Sequence, residues 1–330
     1  MNIIDPTNEK FWIMYDEICS TNIWTSVRHL KYTIEYYKKI VIQKKFNIND
    51  ISFIIIENGV PQFALIGFYL QINKKPSIDL PFYSIQSKKI SKNLRKKILS
   101  LIEDIIINND YNFKLWDFLN GNHISFLTEY LLSRGATIQN DFTSIIDLKD
   151  DLSVIKSNMR KSYKGLINQG EKKYNFKIFN SKNVKWEKIN EIYKFREKNV
   201  SGSLINKQIF NTIYNMVKYN QAFFITIEDE CILSYGLFFK NKNSCWYAQS
   251  VSDFSKNNTY YMHSIMWEAI KFSKKEGCQI FETGRQVYIN HPKEEKPDIK
   301  NLNISDFKSG FGSTKNIILE CKIDNKNFNF

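Results

Sequence analysis

FIIIENGVPQFALIGFYL (Phe53–Leu70) and FITIEDECILSYGLFF (Phe224–Phe239) are two versions of one pattern: an apolar run, a polar turn, and a second apolar run with a glycine inside it. In the first copy Asn58-Gly59 supplies the positive-φ positions of a tight hairpin turn. The repetition continues downstream. Ile78–Ile85 and Ser244–Ser250 read as third strands, Lys92–Ile107 and Tyr260–Lys275 as amphipathic helices, and FKLWDF (Phe113–Phe118) and CQIFETG (Cys278–Gly284) as the strands that follow. The offset between copies stays nearly constant, with Trp116-Asp117-Phe118 opposite Phe281-Glu282-Thr283. A sequence that repeats hairpin, strand, helix and strand predicts an α/β protein with mixed sheets, built from two copies of one small domain at residues 1–145 and 146–330.

Helices are expected around these copies. Glu9–Ile18 and Trp24–Ile40 carry apolar residues at three- and four-residue steps, and Leu127–Ser133 is a short helix stopped by Gly135. Between the copies Asp151–Lys173 places Leu152, Ile155, Met159, Tyr163, Leu166 and Ile167 on one stripe, with Arg160, Lys161 and Lys164 beside and away from it. Trp186–Lys198 and Lys207–Lys218 lead into the second hairpin.

Composition excludes several classes. At 43% hydrophobic and 15% aromatic residues the chain is not disordered, and 12 glycines with 6 prolines rule out collagen-like and Pro-rich types. No apolar run approaches the roughly 18 to 20 residues of a membrane span, and MNIIDPTNEKFW lacks the basic and apolar regions of a secretory signal. A cytoplasmic protein is expected. Five cysteines, odd in number and without a CxxC, read as reduced thiols in place of a zinc site or a disulfide framework. The net charge of +13 suits polyanionic partners, but an abundance of Lys and Asn also marks AT-rich coding, and charge says nothing of fold.

Three segments resemble the FemABX family of GNAT-like acyltransferases, which build peptidoglycan side bridges, and its relatives in surface-polysaccharide loci. They are SIIDLKDDLSVIKSNMRKSYKGLINQGEKK (Ser144–Lys173), TYYMHSIMWEAIKFSKKEGCQIFETG (Thr259–Gly284) and ISDFKSGFGSTKN (Ile304–Asn316). Phe-Lys-x-Gly-Phe-Gly near the C-terminus is the most telling of these. The resemblance covers residues 140–320 directly and the N-terminal half through the duplication. Two features depart from the family. There is no long inserted helical hairpin, and SDFSKNNTYYMHS stands where a GNAT pyrophosphate loop would read Gln/Arg-x-x-Gly-x-Gly/Ala.

The resemblance implies two tandem GNAT-like domains and transfer of an acyl or aminoacyl group to an amine of a cell-envelope saccharide precursor, nucleotide- or lipid-linked. No tightly bound cofactor and no metal are expected. The donor is either an acyl thioester, on CoA or a carrier, or aminoacyl-tRNA. Such transfer needs no covalent enzyme intermediate, in keeping with the absence of a GxSxG elbow or a Cys/His pair. Expected partners are the saccharide precursor, with tRNA and the cytoplasmic membrane face as further candidates and DNA excluded. The alternative is a nonenzymatic basic RNA-binding protein, against which stands the absence of any RRM or KH motif.

The candidate site follows from the chemistry. Lys308, between Phe307 and Phe311 and beside Gly310 and Gly312, is a cation suited to a phosphate or a developing oxyanion. Glu282 and Arg285 sit at the end of a buried strand, where ligands of α/β sheets collect, and Glu282 is a candidate general base. Arg160, Lys161, Lys164 and, more weakly, Arg196 with the turn Ser201-Gly202-Ser203 offer contacts to a diphosphate or RNA backbone. Tyr247 and Gln249 alternate on a strand and are expected to share a face. Each of these has an ordinary structural reading too: a turn lysine, a surface ion pair, a wet helix face, strand packing. His263 reads as a structural histidine.

Overall fold

The computed structural model describes residues 1–21, 26–43, 47–72, 75–76, 82–87, 89–108, 113–118, 124–200, 205–253, 255, 260–290 and 297–324. In chain order these form β1 (Asn2–Ile4), α1 (Phe11–Thr21), α2 (Lys31–Gln43), β2 (Asn47–Asp50), β3 (Phe53–Glu57), β4 (Val60–Ile66), β5 (Phe68–Ile72), β6 (Lys75–Pro76), β7 (Phe82–Gln86), α3 (Lys92–Ile107), β8 (Phe113–Phe118), α4 (Phe126–Ser133) and β9 (Thr137–Asp147). Then come α5 (Leu152–Ser157), α6 (Lys161–Lys173), β10 (Phe176–Phe179), α7 (Trp186–Asn199), α8 (Lys207–Lys218), β11 (Ala222–Glu228), β12 (Ile232–Lys240), β13 (Ser244–Ser252), α9 (Tyr261–Lys275), β14 (Ile280–Gln286), α10 (Ile299–Ser309) and β15 (Thr314–Ile323). None of the described helices is long and apolar enough to cross a membrane.

The chain divides into two compact units, and the division is not a single cut. The first holds Met1–Thr25, Val41–Asp141 and Ile317–Phe330; the second holds Ser26–Ile40 and Phe142–Asn316. Against the expected boundary at 145/146, a short N-terminal stretch belongs to the second unit and the chain end to the first.

In the first unit the main-sheet strands run in the order β1, β3, β4, β7, β8, β15. The predicted turn closes the β3–β4 hairpin, with Asn58 at φ 53° and Gly59 at φ 79°. After Ile66 the chain leaves this sheet, and β5 joins β2 and β6 in a separate three-stranded one. Helix α3 starts where the Ser91 hydroxyl accepts from the Leu94 N–H at 3.2 Å. It buries Leu94, Ile98, Ile102 and Ile106 against Phe63, Leu65, Phe113 and Leu115 of the sheet, each worth roughly 1.5–3 kcal/mol relative to exposure.

The second unit repeats this order as β10, β11, β12, β13, β14, β9. In each unit the first four strands are antiparallel neighbours, the fourth and fifth are parallel, and the sixth runs antiparallel to the fifth. The duplication read from the hairpins is therefore one of topology, with one amendment. The last parallel pair is Tyr83 with Trp116 in one unit and Trp246 with Glu282 in the other. Trp116 thus corresponds to Glu282 and not to Phe281, and a slip of one residue exchanges the faces of a strand. One face of the second sheet packs on α6 and α9 through Phe223, Phe238, Phe281 and Ile265; the other packs on α7 and α8 through Phe224, Leu237, Ile192 and Ile213.

Two predicted helices are broken. Of the helix expected over Trp24–Ile40, Trp24 and Thr25 lie outside the described residues; from Ser26 the chain forms a 3-10 turn at Val27–His29 and then α2, with Leu30 extended between them. The Ser26 hydroxyl accepts from the Arg28 N–H at 3.2 Å while His29 Nδ1 accepts from the Ser26 N–H at 3.1 Å, a reciprocal cap that starts the turn, and extended Leu30 ends it. Asp151–Lys173 divides into α5 and α6 at Asn158–Arg160, where the Arg160 N–H donates to the Gly310 carbonyl at 2.9 Å. Of the cysteines, Cys245, Cys278 and Cys321 are buried and Cys231 is exposed, all of them free.

The sixth strand of the first unit comes from the far end of the chain. Ile318–Ile323 pair with β8, and Cys321 and Ile323 are in the core. A chain ended after Asn316 should expose the edge of β8 and open the first unit. Limited proteolysis is expected to cut within residues 41–141 well before 142–316, and a cleavage pattern unchanged from the full chain would contradict this.

Candidate functional site

Strands β13 and β14 pair in parallel only at Ser244–Trp246 with Ile280–Glu282. Beyond Trp246 and Glu282 they part, β13 continuing against β12 and β14 against β9. Separation of two parallel strands leaves backbone groups facing one another with no ladder between them, at the strand ends where α/β sheets bind ligands. Three of the functional candidates, Glu282, Arg285 and Lys308, gather at this fork.

Glu282 is held on both oxygens. Arg28, from the 3-10 turn, donates Nη1–H to Oε2 at 2.8 Å and Nη2–H to Oε1 at 2.6 Å, and the Thr143 hydroxyl donates to Oε1 at 2.5 Å. The Arg28 and Glu282 side chains are 7% and 12% exposed. The Arg28 guanidinium also lies over the Trp246 ring, 4.5 Å from its centroid. Glu282 in this state is an anchor for Arg28, and service as a general base requires that the pair open.

Lys308 comes from the last turn of α10, and its Nζ–H donates to the Arg285 carbonyl at 3.2 Å. Beneath it Gly284 sits at φ 101°, and a Cβ there would lie 3.1 Å from Lys308 Nζ and 3.3 Å from Trp246 Nε1. Burial pushes the Lys308 pKa down to about 8, with Arg28 and Arg285 acting the same way and Glu282 opposing them. The fork thus contains one ammonium that loses its proton near physiological pH.

The motif around Lys308 has a different role from the one expected of it. Phe311 is buried in the core, and Phe307 and Phe311 pack edge-on or tilted with Tyr163 and His263 at centroid distances of 5.1–6.2 Å. A Cβ on Gly310 would be 2.2 Å from the Tyr163 ring, and one on Gly312, at φ 73°, 2.7 Å from the Asn158 carbonyl. These glycines admit the α5–α6 turn, not a ligand. The Phe and Gly residues seat α10, while the Lys308 ammonium reaches the fork. His263 is structural, its ring 4.3 Å from that of Tyr163 and its pKa pushed down to about 4 by burial.

The basic candidates are dispersed. Arg160 caps α6 and makes a bidentate pair with Asp306 at 2.7 and 2.5 Å, tying α6 to α10. Lys164 donates to the Ser157 carbonyl at 3.0 Å, and Lys161 is exposed on the surface. Arg196 is buried on the α7 side and donates to Tyr235 Oη at 3.3 Å; Ser201–Ser203 lie outside the described residues. The Arg285 side chain is exposed; its carbonyl accepts from Lys308 Nζ at the fork, and its charge is one of those that lower the Lys308 pKa. Tyr247 and Gln249 do not share a face. Leu237 pairs with Gln249 and Phe238 with Tyr247, so Ala248 is bulged and the alternation breaks. Tyr247 then packs with Phe238, its hydroxyl 2.6 Å from Ser250 Oγ, while Gln249 lies opposite Leu237.

Sequence reading does not reach Arg28, Trp246 or Thr143, because contacts across 254 and 139 residues leave no local pattern. It also passes over Lys315, whose Nζ donates to Ser144 Oγ at 2.6 Å and Ser309 Oγ at 2.9 Å. The corresponding fork of the first unit carries no comparable ammonium among its described contacts. Trp116 Nε1–H donates there to Glu320 at 2.7 Å, and Asp117 caps α4 through the Ser125 N–H and the Thr128 hydroxyl, both at 2.7 Å. Among the described residues no three His, Cys, Asp or Glu side chains form a metal-binding group.

The fold is that of two GNAT-like domains in tandem. Among solved structures the chain is similar to FemX, with a TM-score of 0.71 and 10% identity over 99% of this chain and 98% of that one. It is similar also to the C-terminal domain of a putative lysylphosphatidylglycerol synthetase from Agrobacterium fabrum, with a TM-score of 0.58 and 8% identity over 94% and 91%. A tandem GNAT protein from the clavulanic acid biosynthesis pathway matches with a TM-score of 0.52 and 8% identity over 98% and 97%. By sequence, no protein-family profile and no curated protein matches the chain.

Two outcomes follow. Removing one partner of a buried pair strands the other charge, so Arg28→Ala or Glu282→Gln should each lower unfolding free energy by about 3–5 kcal/mol. Urea denaturation should show this, with much of the loss recovered in Arg28→Met/Glu282→Leu. His29 is buried and its pKa is pushed down to about 3, against 6.5 unfolded. The unfolded chain therefore takes up a proton first as pH falls below about 6.5, and stability should decline from there toward pH 3. In His29→Gln this decline should be shallower, and an equally steep one would contradict the assignment.

Proposed function

We propose that this chain is an N-acyltransferase that moves an acyl or aminoacyl group to an amine of a cell-envelope saccharide precursor. The observation that carries the reading is the Lys308 ammonium set over Gly284 where β13 and β14 part. The fold supports it, since FemX, a lysylphosphatidylglycerol synthetase domain and a tandem GNAT protein share it.

The step is direct. The neutral amine attacks the donor carbonyl, a C–N bond forms, and the carbonyl electron pair moves to oxygen. Collapse breaks the C–O bond of an aminoacyl ester or the C–S bond of a thioester, and the proton lost by nitrogen ends on the departing oxygen or sulfur. Lys308 stabilises the transient oxyanion as a preorganised cation in a half-buried site. The Arg28–Glu282 pair fixes the floor of the site, and Phe307 and Phe311 fix the helix that carries Lys308. The +13 charge favours aminoacyl-tRNA as the donor, and the missing pyrophosphate loop points the same way.

The test is mass spectrometry of a nucleotide-sugar and muropeptide-precursor extract incubated with the protein, acyl-CoA and charged tRNA. A precursor should gain an aminoacyl or acyl mass, and Lys308→Ala should lower turnover about 10²–10³-fold. With Lys308 required in its charged form, kcat/KM should fall as pH rises through about 8, and Lys308→Arg should move that fall to higher pH. No mass change, or RNA binding without turnover, would overturn the reading.

A further inference from the structure

We infer that Trp246 supplies a second hydrogen-bond donor to the oxygen bound by Lys308, so that indole and ammonium together form an oxyanion site over Gly284. This rests on the transferase reading of the fork and adds to it a residue, a geometry and a reason for the glycine.

The position of a Cβ on Gly284 is 3.1 Å from Lys308 Nζ and 3.3 Å from Trp246 Nε1. Two nitrogens, both donors and neither an acceptor, therefore border the space before one Cα that carries only hydrogen. Any larger residue there would fill that space, and φ 101° is a conformation that side-chain-bearing residues rarely adopt. Lys308 keeps one bond to the Arg285 carbonyl at 3.2 Å, which leaves two ammonium hydrogens for other acceptors. The Trp246 indole N–H has no hydrogen-bond partner among the described residues, although the ring is only half-buried and its surroundings are otherwise well packed. An unused donor beside a cation repels other cations and attracts an oxygen that carries negative charge.

Trp246 is also held more firmly than strand packing requires. The Arg28 guanidinium is over the ring at 4.5 Å, Tyr37 stacks on it at 6.5 Å with an interplanar angle of 25°, and Phe239 meets it edge-on at 5.7 Å. Arg28 in turn is fixed by the two bonds to Glu282. A cation over the face withdraws electron density from the indole and makes its N–H a stronger donor, and a ring fixed beforehand loses little freedom when an oxygen binds. Trp246 and Glu282 are also the last residues paired before the strands part, so the indole sits at the apex of the fork. The ligand chemistry that fits is a carbonyl oxygen becoming an alkoxide, flanked by one charged and one neutral donor.

Trp246→Phe keeps an aromatic ring under Arg28 and removes the indole N–H together with the five-membered ring, whereas benzothienylalanine at this position keeps the bicyclic shape and lacks only the N–H; both should behave alike. In the mass-spectrometric assay each should lower kcat about 10²-fold with KM little changed. Wild-type turnover matched by Trp246→Phe would overturn the inference and leave the transferase reading intact; no turnover by the wild type would remove that reading and, with it, the catalytic role of the indole. A second measurement does not depend on turnover. In ¹⁵N-labelled protein the Trp246 indole resonance, identified by its loss in Trp246→Phe, should shift with a midpoint near pH 8 as Lys308 deprotonates, and the shift should vanish in Lys308→Ala. An indole signal that is flat across this range would show that the two donors do not share a site and would overturn the inference.

Discussion

Arg28 and Glu282 close a bidentate pair across almost the whole length of the sequence, and the arrangement of the second unit turns on it. The pair brings the stretch Ser26–Ile40 onto a unit otherwise made of residues 142–316. Glu282 stands where β14 leaves β13, a position at which an unpaired carboxylate would be costly to bury. Arg28 satisfies it, and Thr143 from β9 completes the shell. The same guanidinium covers Trp246, so one side chain fixes both walls of the fork. Lys308 then enters from α10, and burial lowers its proton affinity, with Glu282 opposing the fall and the two arginines adding to it.

The two units share strand order and differ in chemistry. Each has a parallel pair that parts after two or three residues. In the first the residues at the parting are committed to structure: Trp116 to Glu320, Asp117 to the start of α4. In the second they leave an ammonium and an indole N–H facing a glycine. Duplication supplied the scaffold twice, and local substitution made a candidate site in one copy.

Much of this was legible in the order of residues. Asn58-Gly59, the stripe of Leu94, Ile98 and Ile102, and Gly236 inside the second hairpin's second strand are local signals whose elements stand where the pattern places them, whereas at Gly67 the strand expected to continue ends and the chain changes sheet. Lys308 and Glu282 were legible as candidates because they lie in short motifs. What periodicity cannot carry is interruption by distant partners. The break at Asn158–Arg160 depends on Gly310 and Gly312, and the short turn before Leu30 is started by the reciprocal bonds of Ser26 and His29. The bulge at Ala248 turns Tyr247 and Gln249 apart without altering the apolar pattern. Arg28 is one cation among 47, and nothing near it in sequence names Glu282.

The central claim is that acyl transfer takes place before Gly284, between Lys308 and Trp246. The most direct measurement is a crystal structure of the protein bound to a phosphonate analogue of the tetrahedral adduct. The account predicts a phosphonyl oxygen within hydrogen-bonding distance of both Lys308 Nζ and Trp246 Nε1, with the Arg28–Glu282 pair beneath it. An analogue bound at the parting of β7 and β8, or one whose oxygens touch neither nitrogen, would contradict it.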